Sequence, residues 1–208
     1  FSFPLSHKPD FVNVDAEKYL LCTKEEKMSV AERAFQYKNC PLYADRLEAL
    51  KECGSFVAAT ISFSAAGDVI MAALNDKNSD LRDRAIDLTE KLPLDYKSKV
   101  KEKLVQLAKN DNESSVRAHA IVLLVNNYSD EDLTPLYRQS VNDKSYAVAG
   151  ASLSAFAKKD KMEAMKIAKR FETEKSMDML LAVAEIYSAH GSDENNPFFV
   201  TLSQKMSG

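Results

Sequence analysis

Three histidines, three cysteines and a run of acidic turns are the residues here whose types could do chemistry. A catalytic zinc needs three protein ligands and an open position for water. The histidines are His7, His119 and His190, far apart in the chain, and no H-E-x-x-H occurs. Glu185 and His190 are five residues apart, a spacing that does not place both on one helix face as ligands. Cys22, Cys40 and Cys53 are odd in number and lack C-x-x-C spacing, which suggests neither a disulfide framework nor a zinc ribbon. They read as small buried apolar residues. The stretch "DKNSD" at 76–80 imitates the start of a calcium loop. Leu81 stands where such a loop needs glycine and Asp87 where it needs a bidentate glutamate, so it reads as a turn between helices. No phosphate-binding glycine loop and no G-x-S-x-G is present. The residues alone point to no catalytic residue, no cofactor-binding residue and no metal ligand.

The elements around these residues repeat. "NDKNS" at 75–79 returns as "NDNES" at 110–114, "VNDKS" at 141–145 and "TEKS" at 173–176. The closing serines, Ser79, Ser114, Ser145 and Ser176, are 35, 31 and 31 residues apart. An apolar stripe at three-and-four spacing follows each one, as in Leu81, Ala85, Leu88 and Leu92, or Val116, Ala120, Leu123 and Leu124. Polar junctions of this kind suit helix starts, because their side chains accept from free backbone N–H groups. A second helical segment fits before each stripe, at 65–76, 96–111, 135–143 and 162–174. Each unit is then a pair of helices that buries its face by stacking on its neighbours. Ala49, Leu88, Leu123 and Leu153 are expected at comparable buried positions. An earlier copy lies at 43–50, with Asp45-Arg46 set against Asp83-Arg84, and before it Ser29 and Glu32 form a capping box. The fold class is all-α: a HEAT-like α-α superhelix of about ten helices after residue 28.

Residues 1–22 differ. "FSFPL", "FVNV" and "KYLLC" are short, apolar or β-branched, and separated by polar residues. They read as two or three short strands, too few to stand alone. The expected organisation is 1–22 as the trailing strands of a β-sandwich-like domain and 23–208 as a helical repeat domain, cut short at its C-terminal end. Met162, Met165, Met177 and Met179 read as core filler. The net charge of −3 and pI of about 5.7 lack the basic footprint of a nucleic-acid binder, and Lys97, Lys99, Lys101 and Lys103 read as one wet helix face. No apolar run approaches the length of a membrane-spanning helix.

Two stretches resemble a known family. "KPDFVNVDAEKYLLC" and then "FQYKNCPLYADRLEAL" are similar to the passage from the β-sandwich domain into the C-terminal helical domain of zinc aminopeptidases of the aminopeptidase N type. Val12, Asn13 and Asp15 carry the first part. Tyr43, Asp45, Arg46 and Ala49 carry the second, and Asp143, Ser145, Tyr146, Val148 and Leu153 a third. The resemblance implies a non-catalytic domain that walls the substrate chamber of a metallopeptidase and limits access to it. The implied partners are the catalytic and β-sandwich domains of the same protein and its peptide substrates. The implied zinc would sit in the parent enzyme, and none of its ligands carries over to this sequence. The alternative is a free-standing HEAT-like scaffold that binds a protein partner on its concave face. No partner among nucleic acids or membranes is expected.

Overall fold

The computed structural model describes residues 4–21, 24–59 and 63–206. Within them the chain forms eleven α-helices and no strand. It is all-α, and it divides into two compact units, residues 1–97 and 98–208.

In unit 1, helices α1 (Val30–Asn39), α2 (Tyr43–Ala58), α3 (Phe63–Ala73) and α4 (Ser79–Leu88) pack on one another. The expected capping box starts α1. Ser29 Oγ accepts from the Glu32 amide, and the Ser29 amide donates back to Glu32 Oε2 at 2.8 Å. This exchange satisfies two amides that the helix itself leaves orphaned. Gly54 of α2 lets Leu88 of α4 lie flat on it, where a Cβ would stand 2.6 Å from Leu88 Cδ2.

In unit 2 the helices are α5 (Lys97–Asn110, its first residue on the boundary), α6 (Ser114–Asn127), α7 (Thr134–Ser140), α8 (Tyr146–Ala157), α9 (Lys161–Arg170), α10 (Met177–His190) and α11 (Asn196–Met206). α8 is its centre, packed by α6, α7, α9 and α10. Pro135 lies in the first turn of α7, where its missing N–H costs nothing.

Taken in pairs from α1–α2 to α9–α10, the helices are joined by turns of three to six residues. The second helix of each pair shares one register, counted from its N-cap: Leu42, Asn78, Glu113, Ser145 and Ser176. Three residues on stand Asp45, Leu81, Val116, Val148 and Met179, all at most 1% exposed. Seven on stand Ala49, Ala85, Ala120, Ser152 and Val183, all 0% exposed. Ser152 meets its hydroxyl's need locally, donating to the Val148 carbonyl at 2.7 Å.

This register corrects three expectations. Leu153 is eight residues past its cap, whereas Leu88 and Leu123 are ten past theirs, so Ala155 is their counterpart. Leu88 is half-buried, while Leu123 and Leu153 are buried. Arg46 corresponds to Arg82, not Arg84. Arg84 is exposed and bonds Asp80 one turn back at 2.7 Å. Arg82 donates to the Asp76 and Lys77 carbonyls of its own entry turn at 2.8 and 3.3 Å. Arg117 does the same to Asp111 and Asn112 at 2.8 and 3.3 Å.

Arg117 also grips the next turn, with Nη2 2.9 Å from Asp143 Oδ1 and Nε 3.1 Å from Oδ2. Burial by itself would raise the Asp143 carboxyl, but the Arg117 guanidinium and the Ser145 amide outweigh it and hold it below the usual range. The folded state therefore binds this proton more weakly than the unfolded chain, whose Asp titrates near about 3.9. The pair's contribution is complete above that value and is lost as pH falls through the lower folded value. We expect Asp143→Asn to cost roughly 1–3 kcal/mol at pH 7. The gap from the parent chain should narrow as the pH falls below about 3.9 in urea titrations. An unchanged gap would contradict the coupling.

The segment 4–21 contains no strand among its described residues. Asp15 and Lys18 have positive φ (55° and 57°), and the Lys18 amide closes a turn on the Asp15 carbonyl at 2.9 Å. Asp15 Oδ1 and Oδ2 accept from the Tyr19 and Leu20 amides.

Candidate functional site

The residues singled out for possible chemistry occupy separate elements. His7 lies on the N-terminal segment with Nδ1 2.9 Å from Ser6 Oγ, His119 is half-buried on α6, and His190 ends α10. Among the described residues no group of three or more His, Cys, Asp or Glu side chains is placed to hold a metal ion. Asp76–Asp80 forms the turn into α4. Asp76 Oδ1 accepts from the Asn78 amide, and Asn78 Oδ1 caps the helix at the Asp80 and Leu81 amides. Cys22 lies outside the described residues. Cys40 is half-buried, and Cys53 sits in the core of α2, where burial pushes its thiol up to about 12. Of the four methionines singled out, Met179 is core (0%), whereas Met162 (76%) and Met177 (37%) are exposed. They sit in or next to the first turn of α9 and α10, outside the buried stripe. Lys97, Lys99, Lys101 and Lys103 lie along α5, and Lys101 pairs with Glu131 at 2.8 Å.

Three surfaces stand out. The first is a junction in unit 1. Asp45 holds a charge at a position that is apolar in every later pair. Lys18 of the N-terminal segment answers it, with Nζ 2.6 Å from Asp45 Oδ1, and also reaches Asn13 Oδ1 at 3.3 Å. The approach to Asp45 lies off the hydrogen-bonding axis, so the contact is an ion pair without an oriented hydrogen bond. Asn13 in turn donates to Cys40 Sγ at 3.7 Å. Beside this junction Arg33, 4% exposed, lies between Glu26 and Glu48 (3.8 and 3.6 Å) and donates to Gln36 at 2.8 Å. The outer side chains of the same segment, Leu5, Val12, Val14, Tyr19, Leu20 and Leu21, are 52–107% exposed.

The second surface is a cleft of about 780 Å³ in unit 1, formed by α1, the start of α2, and α3 with the turn after it. Its floor is polar. Tyr37 Oη donates to Asp76 Oδ2 at 2.7 Å, and Arg46 Nη1 donates to the same oxygen at 2.9 Å. Burial, then the Asp76 carboxylate, holds the Tyr37 phenol far above its ordinary value, so it remains a donor. Sequence reasoning missed this trio. The signal was an aspartate in one turn and an arginine six residues later, Asp76 with Arg82 and Asp111 with Arg117. That spacing ties arginines to turns.

The third is a shallow groove in unit 2 across α6, α8 and α10. The α8 face is small (Ala147, Ala151, Ser154), and Val122 and Leu181 rise beside it, 43% and 47% exposed. Ser154 Oγ donates to Glu185 at 2.8 Å. The sequence matches no family model and no curated protein.

Proposed function

We propose that this chain is the non-catalytic C-terminal helical domain of a zinc-dependent aminopeptidase, a HEAT-like array walling the substrate chamber and limiting access to a catalytic domain outside these residues. The observation that carries the reading is the Lys18–Asp45 junction. The two stretches that resemble the aminopeptidase passage meet there, through Asn13, Lys18 and Asp45. Leu5, Val12, Val14, Tyr19, Leu20 and Leu21 stay uncovered around it, as a segment that packs on a neighbouring domain would when that neighbour is absent. Exposed apolar side chains clustered along one segment suit an interaction surface. The parent's zinc belongs to its catalytic domain, and this chain supplies a wall.

A free-standing scaffold is the second reading. The unit 2 groove favours it, since it offers small residues between apolar walls. The complete coding sequence and its purified product decide between the two. The aminopeptidase reading expects an upstream H-E-x-x-H and chelator-sensitive hydrolysis of an aminoacyl-anilide. It also expects larger substrates to be accepted once residues 23–208 are removed. A complete coding sequence without that motif overturns it. Residues 1–208 on their own are expected neither to hydrolyse the anilide nor to retain zinc through dialysis against a mild chelator.

A further inference from the structure

We propose that the unit 1 cleft binds a small carboxylate carrying a short apolar body. The inference rests on the floor and rim of the cleft and is independent of the aminopeptidase reading. Arg46 lines it with a side chain only 13% exposed, and among the described residues its Nε has no hydrogen-bond partner. Asp76 engages its Nη1 alone. Asp76 is itself committed, accepting from Tyr37, Arg46 and the Asn78 amide. Nε is enclosed by the protein, so Nη2 is the guanidinium donor left to a ligand, beside a carboxylate with little accepting capacity left. A charged guanidinium N–H donates more strongly to a carboxylate than to a neutral acceptor, which favours an acid over its amide.

The rim points the same way. Lys38 and Lys77 are exposed at the mouth. They offset the negative partial charge of the C-terminal ends of α1 and α3. Asp68 is the opposing charge, and its Oδ1 already accepts from Tyr96 Oη at 3.3 Å. The walls are short and apolar, built from Ala34, Ala65, Val69 and Ala72. The volume falls in the usual range of small-molecule sites, and apolar walls over a few convergent polar groups are their usual make-up.

The test is a titration of the full chain with 4-phenylbutyrate and with 4-phenylbutanamide, followed by amide chemical shifts. The acid is expected to move the amides of Ala34, Ala65, Val69 and Ala72 and to bind at least about tenfold more tightly than the amide. Arg46→Gln should abolish that preference. Because Arg46→Gln also disturbs Asp76, Ala72→Phe serves as the second variant. It narrows the cleft at an exposed wall position, leaves the Tyr37–Asp76–Arg46 contacts in place, and should abolish binding. Equal binding of acid and amide overturns the proposal. So do shifts centred elsewhere, an unchanged affinity in Ala72→Phe, or no shift at millimolar acid.

Discussion

Replacing Asp76 by alanine is expected to destabilise unit 1 by about 3–5 kcal/mol, the cost of leaving a buried charge without its partner. The Asp76 side chain is 4% exposed and that of Arg46 is 13% exposed, so water cannot readily take over. The same change strips the Tyr37 hydroxyl of its acceptor and removes the bond that shapes the turn before α4. Asp76→Asn should cost clearly less, since an amide oxygen can still accept from Tyr37. Urea titration followed by helical circular dichroism measures both. A loss below about 1 kcal/mol for Asp76→Ala would show that the pair is effectively solvated.

Leu81→Ala is the second large effect, expected at about 2–5 kcal/mol because the site is fully enclosed and its surroundings can collapse only in part. Its counterparts three residues past the N-cap are Val116, Val148 and Met179, all fully buried. The size of the side chain there varies between pairs, while its apolar character holds from α4 onward. Val122→Ala is the matching control. Val122 is 43% exposed on α6, and its truncation should change stability by less than about 0.5 kcal/mol. Equal costs for Leu81 and Val122 would mean that the stripe had been assigned to the wrong face.

The helices were legible because the stripes recur at helical spacing and polar residues mark each start. The register was less so. The serines looked equivalent, yet Asn78 and Glu113 cap α4 and α6 one residue before a serine, whereas Ser145 and Ser176 are caps themselves. That slip accounts for one of the two residues by which Leu153 misses the position of Leu123. The junction and the cleft were hidden for a different reason. A periodicity argument assigns charges to water, but Arg33, Asp45 and Asp76 are buried and paired with residues 30 or so positions away, or on another element. In the N-terminal segment the short apolar or β-branched runs, among them Phe11–Val14, suggested strands. Pairing requires a neighbour, and here the Asp15 carboxylate takes the amides that a ladder would use.

The arginine four residues past the N-cap has a consequence for the order in which the chain opens. Arg82 and Arg117 tie the carbonyls of their own entry turns. In α8 and α10 that position holds Ala149 and Leu180, both buried and without a donor to offer. The turn before α8 keeps one anchor, the grip of Arg117 on Asp143. The turn before α10 keeps no arginine of this kind: the buried Tyr187 hydroxyl donates to Glu172, and its other ties run through exposed side chains, Tyr146 Oη to Glu174 Oε2 and Lys205 Nζ to the Glu174 carbonyl. Local openings follow the weakest fastening. Of the turns into α6, α8 and α10, the one at residues 171–176 should therefore open before the arginine-tied turn at 111–113, and limited proteolysis of the native protein should cut it earlier than that turn.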